Sequence, residues 1–187
     1  MLFVKEFGGQ NKITNFNNRG FNHMKKIFYT DGSSKGNPGP GGYGVVEYDI
    51  KSNIIFYIYS EYFKNVTNNQ MELKAILHVI KLAAADKENF YLVYSDSAYA
   101  VNSINTWMNG WARNGWVNSK KKPVENLDLI QEIYSYLEFP MENFDLRKID
   151  GHSGHLGNEL ADALAKGDKI KYNNLYLKYN IKEYNIF

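Results

Sequence analysis

The chain has 187 residues, which is too few for two ordinary domains, so we expect one globular domain with additional segments. Its residues are 44% hydrophobic and 22% charged, a composition that excludes a wholly disordered or fibrous protein. No apolar run approaches the roughly 18 residues of a membrane span, and no apolar signal core opens the chain, so we expect a cytoplasmic protein without membrane contact. Because cysteine is absent, any metal must be held by oxygen or imidazole ligands.

Composition divides the chain into three segments. Residues 1–23 are rich in Asn and Gly without a helical or strand period, so we expect a flexible N-terminal extension. Residues 167–187 are rich in Tyr, Lys and Asn, and we expect a C-terminal tail that either docks on the domain or extends from it. The regular patterns of a folded domain are confined to residues 24–166.

The first half of that domain reads as three strands and a helix. The strands are β-branched and aromatic runs at Lys26–Thr30, Tyr43–Tyr48 and Ile54–Tyr62, the last two joined by a link short enough for a hairpin. From Met71 onward, apolar residues recur at helical spacing, which predicts a helix with Asn68 or Asn69 as its N-cap.

The second half predicts two more strands and three helices. Tyr91–Ser95 and Phe144–Ile149 are strand-like, whereas Ser97–Trp107, Leu127–Leu137 and Leu156–Lys166 are helix-like. The resulting order, βββαβααβα, predicts an α/β fold with a mixed five-stranded sheet and helices on both faces.

Four acidic residues stand at positions where they could converge. Asp31 and Asp96 each follow a predicted strand, and Glu72 and Asp162 lie at the margins of the apolar faces of two helices. Each residue alone also suits a turn, a helix cap or a solvated surface. Together, four carboxylates would repel one another unless divalent cations neutralised them, and oxygen ligands favour Mg²⁺ or Mn²⁺.

Five segments in the same order resemble the motifs of type 1 ribonuclease H. They are YTDGSSKGNPGPGGYG (29–44), TNNQMEL (67–73), YSDSAY (94–99), WMNGWARNGWVNSKKKPVEN (107–126) and DGHSGHLGNELADALA (150–165). The similarity covers about residues 25–166 and implies a ribonuclease H-like fold, with residues 24–166 as the catalytic domain. Five ordered motifs are far more specific than a single signature.

The resemblance implies endonucleolytic hydrolysis of the RNA strand of RNA/DNA hybrids, giving 5′-phosphate and 3′-hydroxyl products. It implies that Asp31, Glu72, Asp96 and Asp162 are the catalytic carboxylates and the metal ligands. In the family's two-metal mechanism, two Mg²⁺ ions act with substrate bound, and Mn²⁺ is the alternative cation. By the same match, Asp31 bridges both ions, Glu72 and Asp96 complete the site of the nucleophile, and Asp162 completes the other site.

The resemblance implies one more catalytic residue, His152, and one supporting acid, Glu159. His152 matches a loop histidine that assists proton transfer or product release, and Glu159 matches an acid beside the second metal site. Alternatively, His152 is an ordinary loop residue, or it pairs with His155 as half of a zinc site that lacks further ligands. His78 shares a helix face with lysines, so we expect it to be solvated.

The glycine-rich segment 32–42 lacks the Lys-Ser/Thr ending of a P-loop, which argues against a nucleotide-binding loop. We expect instead a tight loop whose backbone approaches a ribose closely. The resemblance implies that Thr67 lies near a phosphate of the DNA strand and that five residues line the minor groove of the hybrid: Ser33, Asn37, Asn68, Asn69 and Gln70. Turn formation and helix capping would explain the same residue types.

An aromatic and basic stretch matches the family's substrate-binding protrusion. It comprises Trp107, Trp111, Arg113, Trp116, Lys120, Lys121 and Lys122, where rings would pack on the DNA backbone and cations would follow its phosphates. Trp107 and Trp111 are four residues apart, so they could equally pack against each other on one helix. The chain departs from relatives at Ala98, Ala112, Asn114 and Gln70, and we expect weaker or more salt-sensitive hybrid binding.

Two alternatives to a monomeric hybrid-cleaving enzyme would use the same fold. One is a resolvase- or transposase-type nuclease on the same fold, which the TNNQMEL and GHSGH segments disfavour. The other is a catalytically silent hybrid-binding module, which predicts a missing carboxylate, and none of the four is missing.

Overall fold

The computed structural model of the protein describes residues 5–6, 24–139, 141–151 and 153–184. Its strands are β1 (Lys5–Glu6), β2 (Met24–Ser34), β3 (Gly39–Asp49), β4 (Ile54–Val66), β5 (Asn89–Ser95), β6 (Phe144–Lys148) and β7 (Lys182–Glu183). Its helices are α1 (Asn68–Ala85), α2 (Ala98–Asn102), α3 (Met108–Arg113), α4 (Leu127–Leu137), α5 (Leu156–Lys166) and α6 (Lys169–Lys178), with a π-helical segment (Ser103–Trp107) between α2 and α3.

The strands form one mixed sheet in the spatial order β1-β4-β3-β2-β5-β6. β2, β3 and β4 pair as an antiparallel meander, and β5 and β6 continue the sheet parallel to β2. The predicted α/β fold is confirmed, because the five long strands follow one another as expected. The two-residue strands β1 and β7 were not predicted, and both pair with β4.

Helices cover both faces of the sheet because side chains alternate along each strand. Phe28 of β2 packs in a large core cluster that includes residues of α1 and α4. The next residue, Tyr29, points to the opposite face, where it packs with Leu160 of α5. Helices therefore pack against both faces of β2, the strand that carries Asp31.

The glycine-rich segment is not the loop that we expected, because β2 and β3 continue into it and leave only residues 35–38 as a turn. Close packing explains the glycines. A Cβ atom on Gly44 would lie 2.3 Å from the carbonyl oxygen of Ala161, so only glycine lets α5 cross β3 this closely. Asp31 consequently lies within β2 rather than after it.

The starts of two predicted helices also need correction. Thr67, rather than Asn68 or Asn69, is the N-cap of α1, because Thr67 and Gln70 form a reciprocal capping box. The continuous helix expected over Ser97–Trp107 is instead α2 followed by the π-helical segment. Within that segment, the Asn105 side chain donates a hydrogen bond to the carbonyl of Leu146 in β6, a long-range contact that helical periodicity does not reveal.

The prediction of a solvated His78 is wrong. Its Nε2 atom lies 2.7 Å from the hydroxyl of Tyr57, and its ring centroid lies 4.2 Å from that of Tyr59. The Tyr43 ring also contacts it, so three tyrosines of β3 and β4 enclose the imidazole. Burial lowers the pKa of His78 to about 4.

Acid should therefore destabilise the protein through His78. Its pKa is lower in the folded state than the ordinary value of about 6.5, so its contribution is fully present above that pH and is lost as the pH falls toward 4. In urea unfolding, the stability advantage of the wild type over His78→Gln should shrink by about 2 kcal/mol between pH 7 and pH 4.5. The exposed His155 provides the control, since His155→Gln should show no such convergence. A constant difference for His78→Gln would contradict the prediction.

The C-terminal segment docks on the sheet. Ile181 is buried among core residues that include Tyr48 and Ile55, and the Asn53 side chain donates to the carbonyls of Tyr179 and Asn180. Asn53 thus holds the residues that follow α6. The start of α6 is held as well, because a turn of only two residues joins it to α5. In the described residues, no helix combines the length and apolar character needed to cross a bilayer.

Candidate active site

Three carboxylates meet at one edge of the sheet. Thr30 of β2 pairs with Ser95 of β5, so the next residues, Asp31 and Asp96, stand side by side. Glu72 reaches them from the second turn of α1, and one oxygen of each of the three carboxylates lies within 4.8 Å of the others.

Gly32 permits this convergence. A Cβ atom at this position would lie 2.2 Å from the backbone nitrogen of Glu72, so α1 can approach β2 only because the side chain is absent. The backbone N–H of Gly32 also donates a hydrogen bond to Asp31 Oδ1, at 2.8 Å.

The electrostatics of the cluster favour a bound cation. Burial, and then the charges of Asp96 and Asp162, raise the pKa of Asp31 to about 8. Burial and the neighbouring Asp31 also raise the pKa of Glu72. Glu72 Oε2 is buried and has no hydrogen-bond partner among the residues that the structure describes. An unpartnered buried carboxylate oxygen among other carboxylates fits a hard divalent cation, which prefers oxygen ligands.

Asp162 of α5 lies on the other side of Asp31 and interacts with lysines. Burial alone would raise its pKa, but hydrogen bonds from Lys166 and Lys171 hold the pKa below its usual value. Lys166 contacts Asp162 Oδ1, and Lys171 Nζ lies 2.7 Å from Oδ2. Glu159, half-buried one turn earlier, also contacts Lys171, at 2.8 Å.

Sequence reasoning missed Asn158 and Lys171. The Asn158 side-chain nitrogen donates to Asp96 Oδ2 at 3.0 Å, and Asn158 Oδ1 is buried with no partner in the described part of the chain. Its spacing of four residues from Asp162 could have suggested that both share one helix face. Sequence patterns offered no such spacing signal for Lys171, because they did not predict the helix α6 that carries this residue.

His152 lies outside the described residues, so its predicted role stays a prediction. The loop that carries it is close to the carboxylates, since a Cβ atom on Gly151 would lie 2.9 Å from Asp96 Oδ2. His155, its partner in the zinc alternative, is the exposed N-cap residue of α5.

The residues expected to contact the minor groove gather at the β2–β3 turn and the start of α1. The backbone N–H of Asn68 donates to Asn37 Oδ1 at 3.3 Å and links the two elements. Thr67 and Gln70 form the capping box, so the capping alternative holds for both. Ser33 and Asn69 are half-buried beside them.

The aromatic and basic stretch is partly core and partly surface. Trp111 and Trp116 pack against the core, and Trp107 remains 40% exposed beside Trp111, with 5.6 Å between ring centroids. Trp107 and Trp111 thus contact each other, as the packing alternative expects of this pair, and Trp116 also packs against the core. The basic residues of the stretch are exposed: Arg113, Lys120, Lys121 and Lys122.

Comparison with known proteins places this arrangement in a family. The sequence profile of the RNase H family matches residues 23–169. The chain belongs to the RNase H family. The Ribonuclease H of Polynucleobacter asymbioticus is 40% identical over 143 residues, which cover 76% of this chain and 88% of the relative. The Ribonuclease H of Marinobacter nauticus is 42% identical, over 75% of this chain and 91% of the relative.

Solved RNase H structures share the fold. The solution structure of the PFV RNase H domain superposes with a TM-score of 0.65 at 29% identity, covering 76% of this chain and 93% of that domain. LC11-RNase H1 in complex with an RNA/DNA hybrid superposes with a TM-score of 0.55 at 28% identity, covering 75% of this chain and 93% of that chain. The predicted resemblance to type 1 RNase H is thus confirmed.

Proposed function

We propose that this RNase H cleaves the RNA strand of RNA/DNA hybrids internally and leaves 5′-phosphate and 3′-hydroxyl ends. The observation that carries the proposal is the cluster of buried Asp31 and Glu72 with half-buried Asp96, in which Glu72 Oε2 has no hydrogen-bond partner among the described residues. Family membership supports it, and the relative LC11-RNase H1 was solved with such a hybrid.

Mg²⁺ is the cation that we propose for the cluster, with two ions in the substrate complex and Mn²⁺ as a substitute. Asp31, Glu72 and Asp96 would hold one ion, and Asp31 with Asp162 would hold the other, with Glu159 beside it. Divalent cations supply Lewis acidity at the phosphate and a lowered pKa for attacking water. The burial of Asp31, Glu72 and Asp162 limits competition from bulk water.

The chain itself would position the hybrid. Asn37 and Ser33 in the β2–β3 hairpin, with Asn68, Asn69 and Gln70 at the start of α1, would contact ribose hydroxyls, the groups that distinguish RNA from DNA. Thr67, Trp107, Trp111, Trp116 and the exposed cations Arg113, Lys120, Lys121 and Lys122 would follow the DNA backbone. His152 would move a proton during turnover.

We also propose that three segments of the chain have different roles. Residues 24–166 would carry catalysis as a monomer in the cytoplasm, residues 1–23 would be an extension, and residues 167–187 would be an accessory segment. The family profile, which matches residues 23–169, supports these boundaries.

Metal binding should stabilise the folded protein, because only the folded state brings the carboxylates together. Mg²⁺ should raise the melting temperature relative to choline chloride of equal ionic strength. Asp31→Asn should melt higher than the wild type without metal, since it removes a buried carboxyl group whose pKa is raised to about 8 by folding, and should lose the response to Mg²⁺. An equal Mg²⁺ response in both proteins would contradict the metal assignment.

Analysis of product ends tests the proposed reaction. A hybrid with a labelled RNA strand should yield fragments whose new 5′ ends lose a phosphate to phosphatase and whose new 3′ ends can be extended by a polymerase. Fragments ending in a 2′,3′-cyclic phosphate would show attack by the ribose hydroxyl instead of water and would overturn the proposal.

A further inference from the structure

Lys171 brings a positive charge from α6 into the carboxylate site. Its Nζ atom lies 2.7 Å from Asp162 Oδ2 and 2.8 Å from Glu159 Oε2. Asp162 is itself nearly buried, with 9% of its side chain exposed. Lys171 lies beyond residues 23–169, which match the family profile, so the contact belongs to the C-terminal segment of this chain.

The position of Lys171 is fixed by the docking of α6. Asp168 caps the helix by accepting a hydrogen bond from the backbone N–H of Lys171, at 2.8 Å. Leu175 and Tyr176 pack against the core cluster that contains Leu160 of α5. Asn53 then holds the end of the helix. The docking of α6 therefore fixes the backbone of Lys171, and only 32% of its side chain is exposed, unlike that of an ordinary surface lysine.

The two sides of the acidic site differ in how their charge is balanced. Within the described residues, no ion pair reaches Asp31, Glu72 or Asp96. On the other side, Lys166 and Lys171 contact both oxygens of Asp162. A cation approaching that side must compete with ammonium groups that already neutralise the carboxylates.

We propose that Lys171 is a built-in counter-cation that weakens divalent metal binding at the Asp162 and Glu159 side of the site. The docked helix α6 thus lowers the affinity of that side for a divalent cation. The first cation therefore binds at the other side, which is formed by Asp31, Glu72 and Asp96. This inference rests on the proposed metal-dependent function.

Direct Mn²⁺ binding tests the inference without any cleavage. The free Mn²⁺ signal in electron paramagnetic resonance is titrated with the full chain, for the wild type, Lys171→Met and Lys169→Met. Lys169 is exposed on the same helix, so its variant removes an equal charge without the contact. The dissociation constant of the more weakly bound Mn²⁺ ion should be at least about threefold lower in Lys171→Met than in the wild type. In Lys169→Met, this dissociation constant should equal that of the wild type.

Further variants separate a specific contact from a packing change. Lys171→Arg keeps the charge and should keep the weak binding, whereas adding Asp162→Asn to Lys171→Met should abolish the gain. Equal binding by the wild type and Lys171→Met, or equal gains in both methionine variants, would overturn the inference while leaving the metal-dependent function intact. Absence of Mn²⁺ binding in every protein would overturn both.

Discussion

Asp96→Asn should abolish cleavage of the RNA strand while leaving hybrid binding nearly unchanged. The substitution keeps the size of the side chain and an oxygen that can accept the hydrogen bond from Asn158, but it removes the charge that would help to hold the metal. We expect a loss of at least about a thousandfold in the single-turnover rate at saturating Mg²⁺. Hybrid affinity should stay within about threefold, because phosphate contacts by cations dominate it.

The control for this variant is Asp150→Asn. Asp150 is an acid in the nearby loop, but its side chain is 92% exposed, so the same chemical change should leave the rate almost unaltered. Near-normal turnover by Asp96→Asn, in a protein that melts like the wild type, would remove Asp96 from the metal ligands.

Gly32→Ala should damage both stability and activity, because the new methyl group has no space. It would lie 2.2 Å from the backbone nitrogen of Glu72 and 2.4 Å from the carbonyl carbon of Met71, and backbone atoms cannot move aside independently. We expect α1 to shift away from β2, at a cost of about 1–3 kcal/mol in the free energy of unfolding. Because Glu72 would move with the helix, the cleavage rate should fall about a hundredfold.

Gly110→Ala is the matched control for that substitution. Apart from its chain neighbours and the backbone of its own helix, no atom of the described residues lies within 4 Å of the position where its Cβ would be. Because Gly110 lies in α3, alanine should leave the free energy of unfolding unchanged or raise it. If Gly32→Ala folded, melted and cleaved like the wild type, the close approach of α1 to β2 would not be what positions Glu72.

Local patterns predicted the elements that depend on local signals. The bounds of α4 (Leu127–Leu137) and α5 (Leu156–Lys166) agree with the prediction at both ends, because each helix has a clear apolar face. The prediction that Asp31 and Asp96 could converge also used local information, since each residue follows a run of strand residues. Neighbouring parallel strands then bring the two acids together.

Features created by contacts distant in sequence were not predictable. His78 has lysines as helical neighbours, yet tyrosines of β3 and β4 enclose it. The weakly amphipathic α6 becomes ordered by packing on α5 and the sheet, and only that packing brings Lys171 to Asp162. A single sequence contains no signal for such contacts until the fold is known.

Cleavage specificity is the most direct test of the central claim. One labelled strand is presented as an RNA/DNA hybrid, duplex RNA, duplex DNA and single-stranded RNA, each with Mg²⁺ and with EDTA. The cluster of Asp31, Glu72 and Asp96 in an RNase H fold predicts Mg²⁺-dependent cleavage of the RNA strand of the hybrid alone. Tight hybrid binding without cleavage, or cleavage of duplex DNA, would contradict it.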